Sequence, residues 1–303
     1  MSKRPRVLIV GAAGQVGVEL QRSFADFGDI TAVDRVDFDL GDERETRDLV
    51  NRVDPDILLN AAAYTAVDRA ESEPEIAAAI NARAPRILAE EAKRRNAIFV
   101  HYSTDYVFDG EKQGPWTEQD VPDPQNVYGV TKLAGERAIE EVGGKWLTFR
   151  TSWVYGPHGA NFLLTMLRLA RQREQLSIVD DQHGAPTTSI ELANATRVIV
   201  EGAMAGRFGA TEDWAGLYHM TCGGTTSWCG FAQAIFARAG GLLGGKVPEV
   251  TPIPSKDYPV PAKRPSNSVL SNNLLQQRFG VQLDPWQTAL DAVVRVLSAN
   301  ATK

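Results

Sequence analysis

Cysteine is scarce, with two in 303 residues, and Cys222 and Cys229 fit neither a C-x-x-C redox pair nor a zinc knuckle. A disulfide-stapled scaffold is excluded, both cysteines are expected to be packing residues, and a reducing compartment, the cytoplasm, is the expected setting. The four histidines, His101, His158, His183 and His219, are too scattered to define a metal site, and each is expected to be structural or exposed. Positive charge is not in excess: 32 Lys and Arg face 38 Asp and Glu, for a formal charge of −6. That balance argues against nucleic acid as a partner, because phosphate binding needs a concentrated basic surface. No apolar stretch approaches the length of a membrane-spanning helix, so no membrane partner is expected. Lys3, Arg4 and Arg6 ahead of the run Val7 to Ala13 imitate a secretory signal, but Gln15 and Glu19 break it and its glycines have a better explanation.

What is present is an ordinary globular composition, 43% hydrophobic and 23% charged. A chain of this length can bury a sizeable core without metal or disulfide. Val7-Leu8-Ile9-Val10 is an unbroken aliphatic run ending in glycine, the pattern of a strand buried on both faces. Val16, Leu20 and Phe24 then recur at helical spacing. Further strands are predicted at 30–34, 57–60, 97–101 and 145–150, with helical stretches between them. Strand and helix in repeated alternation predict an α/β fold with a doubly wound parallel, Rossmann-type sheet. Beyond about residue 155 turn-rich pieces break the alternation. The stretch Pro248 to Pro265, with its six prolines, is expected to run as an irregular loop, and a last helix is predicted from Trp286 to Leu297.

Gly11-Ala12-Ala13-Gly14-Gln15-Val16-Gly17 lies where the first strand turns into the first helix. Glycines there let the backbone turn tightly and approach a pyrophosphate, whose charge meets the free N–H groups of the helix N-terminus. A plain tight turn is the competing reading of G-x-x-G-x-x-G taken alone. Asp34 ends the second strand at about the spacing of a carboxylate that binds a ribose 2′-hydroxyl, and Arg35 beside it could hold a 2′-phosphate. The pair leaves NADH and NADPH both open, with an N-cap or a solvated pair as the plain alternative. Asp39 and Leu40 fall where the next loop could contact adenine. Tyr128 and Lys132 stand one helical turn apart, so the ammonium is expected to stabilise a phenolate and let Tyr128 exchange a proton near neutral pH. Thr104 and Asp105 follow a buried strand at the end where open α/β sheets bind ligands.

With these motifs in order, the chain resembles the extended short-chain dehydrogenase/reductases that act on nucleotide sugars. The resemblance covers nearly the whole length: the glycine loop, 60–68, 70–74, 101–108, 126–136, 150–155, the turn 181–187 and 261–265. It implies hydride transfer from NADPH or NADH to C4 of a 4-keto-6-deoxy sugar held by its dTDP handle. Tyr128 would protonate the alkoxide, Lys132 would lower the Tyr128 pKa and hold the nicotinamide ribose, and Thr104 would take the place many relatives give to serine. Ala63, Tyr64 and Thr65 would lie along the cofactor. Trp153 would border the sugar together with Thr104 and Asp105, or else be a core aromatic. Lys263 and Arg264 would face the substrate diphosphate, or else be solvated loop charges. Some members hold Mg2+ at an acidic dimer interface; its ligands have no secure match here, so the metal and that mode of homodimer stay open. The division of labour expected is residues 1–155 for the dinucleotide, with about 187–218 returning to them, and 156–186 with 219–303 mainly for the substrate. An epimerase or dehydratase on the same fold, and a non-catalytic nucleotide-binding regulatory subunit, are the alternatives.

Overall fold

The computed structural model describes residues 4–301; Lys3 of the basic N-terminal cluster lies outside them. In chain order the first half comprises β1 (Arg6–Val10), α1 (Gln15–Phe24), β2 (Asp29–Val33), α2 (Glu43–Val53), β3 (Ile57–Asn60), α3 (Val67–Ala70), α4 (Pro74–Ala78), a π-helical turn (Ala79–Arg83), α5 (Ala84–Arg94), β4 (Ile98–Thr104), α6 (Val127–Val142) and β5 (Trp146–Thr151). The second half comprises β6 (Val154–Tyr155), α7 (Phe162–Ala170), β7 (Gln175–Val179), β8 (His183–Gly184), β9 (Thr187–Thr188), α8 (Ser189–Met204), α9 (Thr211–Trp214), β10 (Gly216–His219), β11 (Thr226–Ser227), α10 (Trp228–Ala239), β12 (Glu249–Ile253), α11 (Asn273–Phe279) and α12 (Trp286–Ala301).

Six strands form one parallel sheet in the order β10-β5-β4-β3-β1-β2. The aliphatic runs read from the sequence are the reason. Successive side chains of a strand point to opposite faces, so a run without polar interruption must be covered on both. Val7 and Ile9 of β1 face a cluster with Leu20 and Phe24 of α1 and Leu192 and Ile199 of α8. Leu8 and Val10 face the other way, onto Leu49 and Val50 of α2 and Leu88 and Ala92 of α5. The sheet is thereby doubly wound, as expected from the alternation.

The order reverses between β1 and β3, and such a switch point opens a crevice at the carboxyl ends of the strands. The glycine loop leaves β1 there, and Asn60-Ala61-Ala62 leaves β3 beside it. The proline-rich stretch departs from expectation, since its first part is the strand β12, parallel to β7. The pair is two-stranded, so Pro252 can occupy an edge where its missing N–H costs no ladder bond. The last helix runs on past Leu297 to Ala301. Cys222 and Cys229 are both buried, as packing residues should be. Among the described residues no helix is long and apolar enough to cross a membrane.

Candidate active site

At the glycine loop, Gly11 sits at φ +86°, and a Cβ there would lie 2.6 Å from Ala62 N. A Cβ on Gly17 would lie 2.0 Å from Gly11 O, so the helix can start against the loop only because that position is bare. Gly14 is the N-cap of α1 and offers no side chain to the first-turn N–H groups. Those groups keep their capacity for an anion, which the positive end of the helix also favours. Asp34 closes the loop by accepting from Ala13 N at 2.5 Å, and Arg35 beside it is exposed. Gln15 binds outward to the second half of the chain, accepting from Asn161 Nδ2 at 3.0 Å, while Val16 packs against the core. Asp39 folds back on its own turn, accepting from Gly41 N at 2.8 Å, and the Leu40 side chain is taken up in the core beneath.

Across the crevice, Asn126 caps α6 by accepting from Gly129 N at 2.8 Å and ties it to the loop at Lys263 O, also at 2.8 Å. Gly129 lets the helix approach the Tyr106 carbonyl, where a Cβ would come within 2.2 Å. Tyr128 and Lys132 consequently point into the sheet end where Thr104 terminates β4. The Tyr128 phenol stands near the Thr104 hydroxyl, and Thr104 Oγ1 donates to Asp105 Oδ1 at 3.0 Å. Tyr106 meets the Tyr128 ring edge-on at 5.5 Å and is itself contacted by Arg264, Nη1 to hydroxyl 3.3 Å. Arg264 also pairs with Asp68 at 2.7 Å. The structure thus brings Thr104, Asp105, Tyr128, Lys132 and Arg264 together.

Burial dominates the electrostatics. It pushes the Tyr128 phenol well above its usual value against the lowering effect of the Thr104 hydroxyl, and it raises the Asp105 carboxyl to about 6. It lowers the Lys132 ammonium to about 8, with Glu136 opposing. The expected depression of Tyr128 by Lys132 is not what this geometry gives: Lys132 Nζ donates to Tyr102 O at 2.6 Å and lies 3.0 Å from His101 Nε2. A part-buried phenol that keeps its proton is suited to giving it away to a base formed beside it.

The loop after β3 is built by Asn81, a buried residue of the π-helical turn, which sequence reasoning passed over. Its Oδ1 accepts from Tyr64 N at 2.8 Å, and its Nδ2 donates to Tyr64 O at 3.1 Å and to Thr131 Oγ1 at 3.2 Å. Ala63 and Thr65 flank this anchored residue, and the Tyr64 hydroxyl donates to Glu73. A Cβ on Gly135 would press on Asn81 O at 2.2 Å, so α6 and the π turn interlock. His101 is the other omission. It is buried beside Lys132, a structural histidine as expected, and parallel register sets it against Asn60 on β3. The signal was a polar residue closing an apolar strand, which occurs at both positions.

Trp153 lies two residues beyond Thr151, the register partner of Thr104, and its backbone is left-handed at φ 49°. A bulky side chain in that region is strained and needs its surroundings to hold it. Trp228 does so, stacked on Trp153 with ring centroids 3.6 Å apart. Trp153 is part-buried, so one aromatic face is spent on packing. Lys263 is not drawn in: its ammonium is exposed and reaches Gln125 Oε1 at 3.2 Å. No group of three or more His, Cys, Asp or Glu among the described residues is placed to hold a metal ion.

A glycine-lined helix start facing a buried threonine and lysine and a part-buried tyrosine across a parallel-sheet crevice defines a dinucleotide-dependent oxidoreductase of the Rossmann type. Residues 5–299 match the family described as RmlD substrate binding domain. A dTDP-4-dehydrorhamnose reductase of Burkholderia thailandensis is 49% identical over 96% of this chain and 99% of its own. The enzyme of that name from Escherichia coli K12 is 44% identical over 96% and 97%. A Bacillus anthracis dTDP-4-dehydrorhamnose reductase crystallised with NADP superposes with a TM-score of 0.88 at 33% identity, over 97% of this chain and 99% of that one. The chain belongs to the dTDP-4-dehydrorhamnose reductase family.

Proposed function

We propose that this chain reduces the C4 keto group of dTDP-4-dehydro-L-rhamnose to dTDP-L-rhamnose with NADPH or NADH, a step of nucleotide-sugar biosynthesis. The observation that carries the reading is the gathering of Thr104, the part-buried Tyr128 and the buried Lys132 at the mouth of the crevice that the glycine loop opens. The glycine loop fits a dinucleotide, since it leaves backbone N–H groups at the start of α1 and no Cβ at Gly11 or Gly17. Gly14, Gln15 and Val16 complete the turn for its diphosphate; Asp34 and Arg35 face its adenosine ribose, with Asp39 and Leu40 near the adenine. Ala63, Tyr64 and Thr65 run along it, and Lys132 holds the nicotinamide ribose. When bound, the dinucleotide supplies the hydride.

The protein supplies the proton and the geometry. Thr104 turns its one hydroxyl hydrogen from Asp105 to the sugar carbonyl oxygen, and Tyr128 gives its phenolic proton to the alkoxide as it forms. Burial serves this step, because a phenol held above its ordinary pKa stays protonated at neutral pH until an alkoxide, a far stronger base, appears next to it. Asp105 and Trp153 bound the sugar, and Arg264 faces the diphosphate, with Lys263 further out on the same loop. Residues 1–155 with about 187–218 hold the dinucleotide, and 156–186 with 219–303 mainly hold the substrate. Packing supports the return of 187–218: Arg197 of α8 donates to Ser23 O of α1 at 3.0 Å, and β10 extends the sheet beside β5.

The test is nicotinamide absorbance over time with the sugar substrate and either cofactor, repeated with Tyr128→Phe. Oxidation that depends on the sugar and falls about 10²- to 10⁴-fold in the variant is expected. No sugar-dependent oxidation by a folded, nucleotide-binding protein would move the assignment to an epimerase or a regulatory subunit.

A further inference from the structure

Behind Lys132 lies a chain of hydrogen bonds that the reduction does not use. Ala62 N donates to Asn60 Oδ1 at 3.2 Å, Asn60 Nδ2 lies 3.0 Å from His101 Nδ1, and His101 Nε2 lies 3.0 Å from Lys132 Nζ. Asn60, His101 and Lys132 are all buried. The Ala62 end touches the dinucleotide loop, since a Cβ on Gly11 would sit 2.6 Å from Ala62 N.

The charge on Lys132 selects between two placements of the hydrogens: with an uncharged amine every bond of the chain can be kept, and with an ammonium one must be given up. In the first, Asn60 keeps its oxygen on Ala62 N–H and its amide donates to His101 Nδ1. The ring hydrogen is then on Nε2, pointing at Lys132, which must be an uncharged amine to accept it. In the second, Lys132 is an ammonium and donates to both Tyr102 O and His101 Nε2. The ring hydrogen is then on Nδ1, and Asn60 must turn its oxygen to the ring, giving up the Ala62 bond. The ring cannot escape the choice by becoming charged, because burial and the neighbouring ammonium hold its pKa well below the usual value.

We propose that Asn60 and His101 are positioning residues that relay the charge state of Lys132 to the turn beneath the dinucleotide. The His101 hydrogen sits on Nε2 when Lys132 is uncharged and on Nδ1 when it is charged. One proton is taken from solvent in passing from the first state to the second: the amine gains one, and the ring keeps one that has changed nitrogen. The other charged groups facing Lys132 leave room for this control. Glu136 on the same helix is committed to Arg150 of β5 through two bonds of 2.9 and 2.6 Å, and β3 contributes only the neutral Asn60. Tyr128 one turn away holds its proton, and Asp105 beyond β4 sits against Thr104. An anionic dinucleotide near Lys132 favours the charged state, so its binding draws in a proton through this relay. The catalytic value of the relay rests on the reductase reading; its existence does not.

The test is ¹⁵N spectroscopy of the imidazole nitrogens in the full chain between pH 6.5 and 10, with the His101 signals assigned by their loss in His101→Gln. The two nitrogens are expected to exchange protonated and unprotonated shifts with one midpoint near pH 8, and Lys132→Met is expected to abolish the exchange. Asn60→Asp gives a carboxylate that accepts from both Ala62 N–H and Nδ1–H, and should lock the second state at every pH. Calorimetry of NADPH binding at pH 8.5, in buffers of different ionisation enthalpy, should then show proton uptake by the native protein and none by Asn60→Asp. One unchanging tautomer in the native protein, or equal uptake in both proteins, overturns the relay. Neither readout needs the sugar, so failure here and failure of the reductase reading are told apart.

Discussion

Lys132→Met is expected to make the protein inactive and its stability differently dependent on pH. The ammonium is buried, and its pKa falls from 10.5 to about 8, which corresponds to roughly 3 kcal/mol of penalty when both the folded and unfolded forms are charged. Because the folded value is the lower one, the full penalty applies below about pH 8. Between there and the unfolded value the unfolded chain binds more protons than the native one, so stability rises with pH. Methionine has a similar shape and no titration. The stability of native protein minus that of Lys132→Met should therefore rise by about 2 kcal/mol between pH 7 and 9.5. The absolute offset is smaller than the penalty, since the variant strands the Tyr102 carbonyl and the His101 ring, each worth about 1 kcal/mol or more. Urea denaturation of both proteins at four pH values measures the difference, in which every other titrating group cancels. A difference flat over that range would refute the claim that the ammonium is held in a low-dielectric site.

Gly17→Ala places a Cβ 2.0 Å from Gly11 O, so loop and helix must part; a loss of about 1–3 kcal/mol in stability is expected together with weakened dinucleotide binding, checked by thermal melts with and without NADPH. Glu136→Gln leaves the buried Arg150 guanidinium without its bidentate partner and should cost about 3–5 kcal/mol, measured by denaturant unfolding. The same change removes the one carboxylate that raises the Lys132 pKa, so the pH midpoint of the His101 exchange should fall in any Glu136→Gln protein that stays folded.

Much of the architecture was legible because it depends on local pattern. Apolar runs without polar interruption demanded burial on both faces, and Val7 to Val10, Ile57 to Leu59 and Ile98 to Val100 became the middle of the sheet, although the last of these strands runs on past the expected 101 to Thr104. The proline-rich segment was misread at Glu249–Ile253 because local preference could not announce that β7 would offer it a partner. Tyr128 and Lys132 were legible for the same local reason: helical spacing alone puts them on one face, whatever the rest of the chain does.

What the glycine spacing and the Tyr-x-x-x-Lys step determined, then, were chemical groups and the turn of backbone carrying them. Tertiary structure decided what those groups are like. Burial, a property of the whole core, turned Tyr128 into a phenol that holds its proton and Lys132 into an ammonium poised to lose its own. Register between parallel strands, fixed by side chains far from the site, set His101 against Asn60, and a π-helical turn carried Asn81 under the loop after β3. Contacts between residues 41, 31 and 17 positions apart have no periodicity for a sequence to display, because they are made by the packing of separate elements and not by the geometry of any one of them.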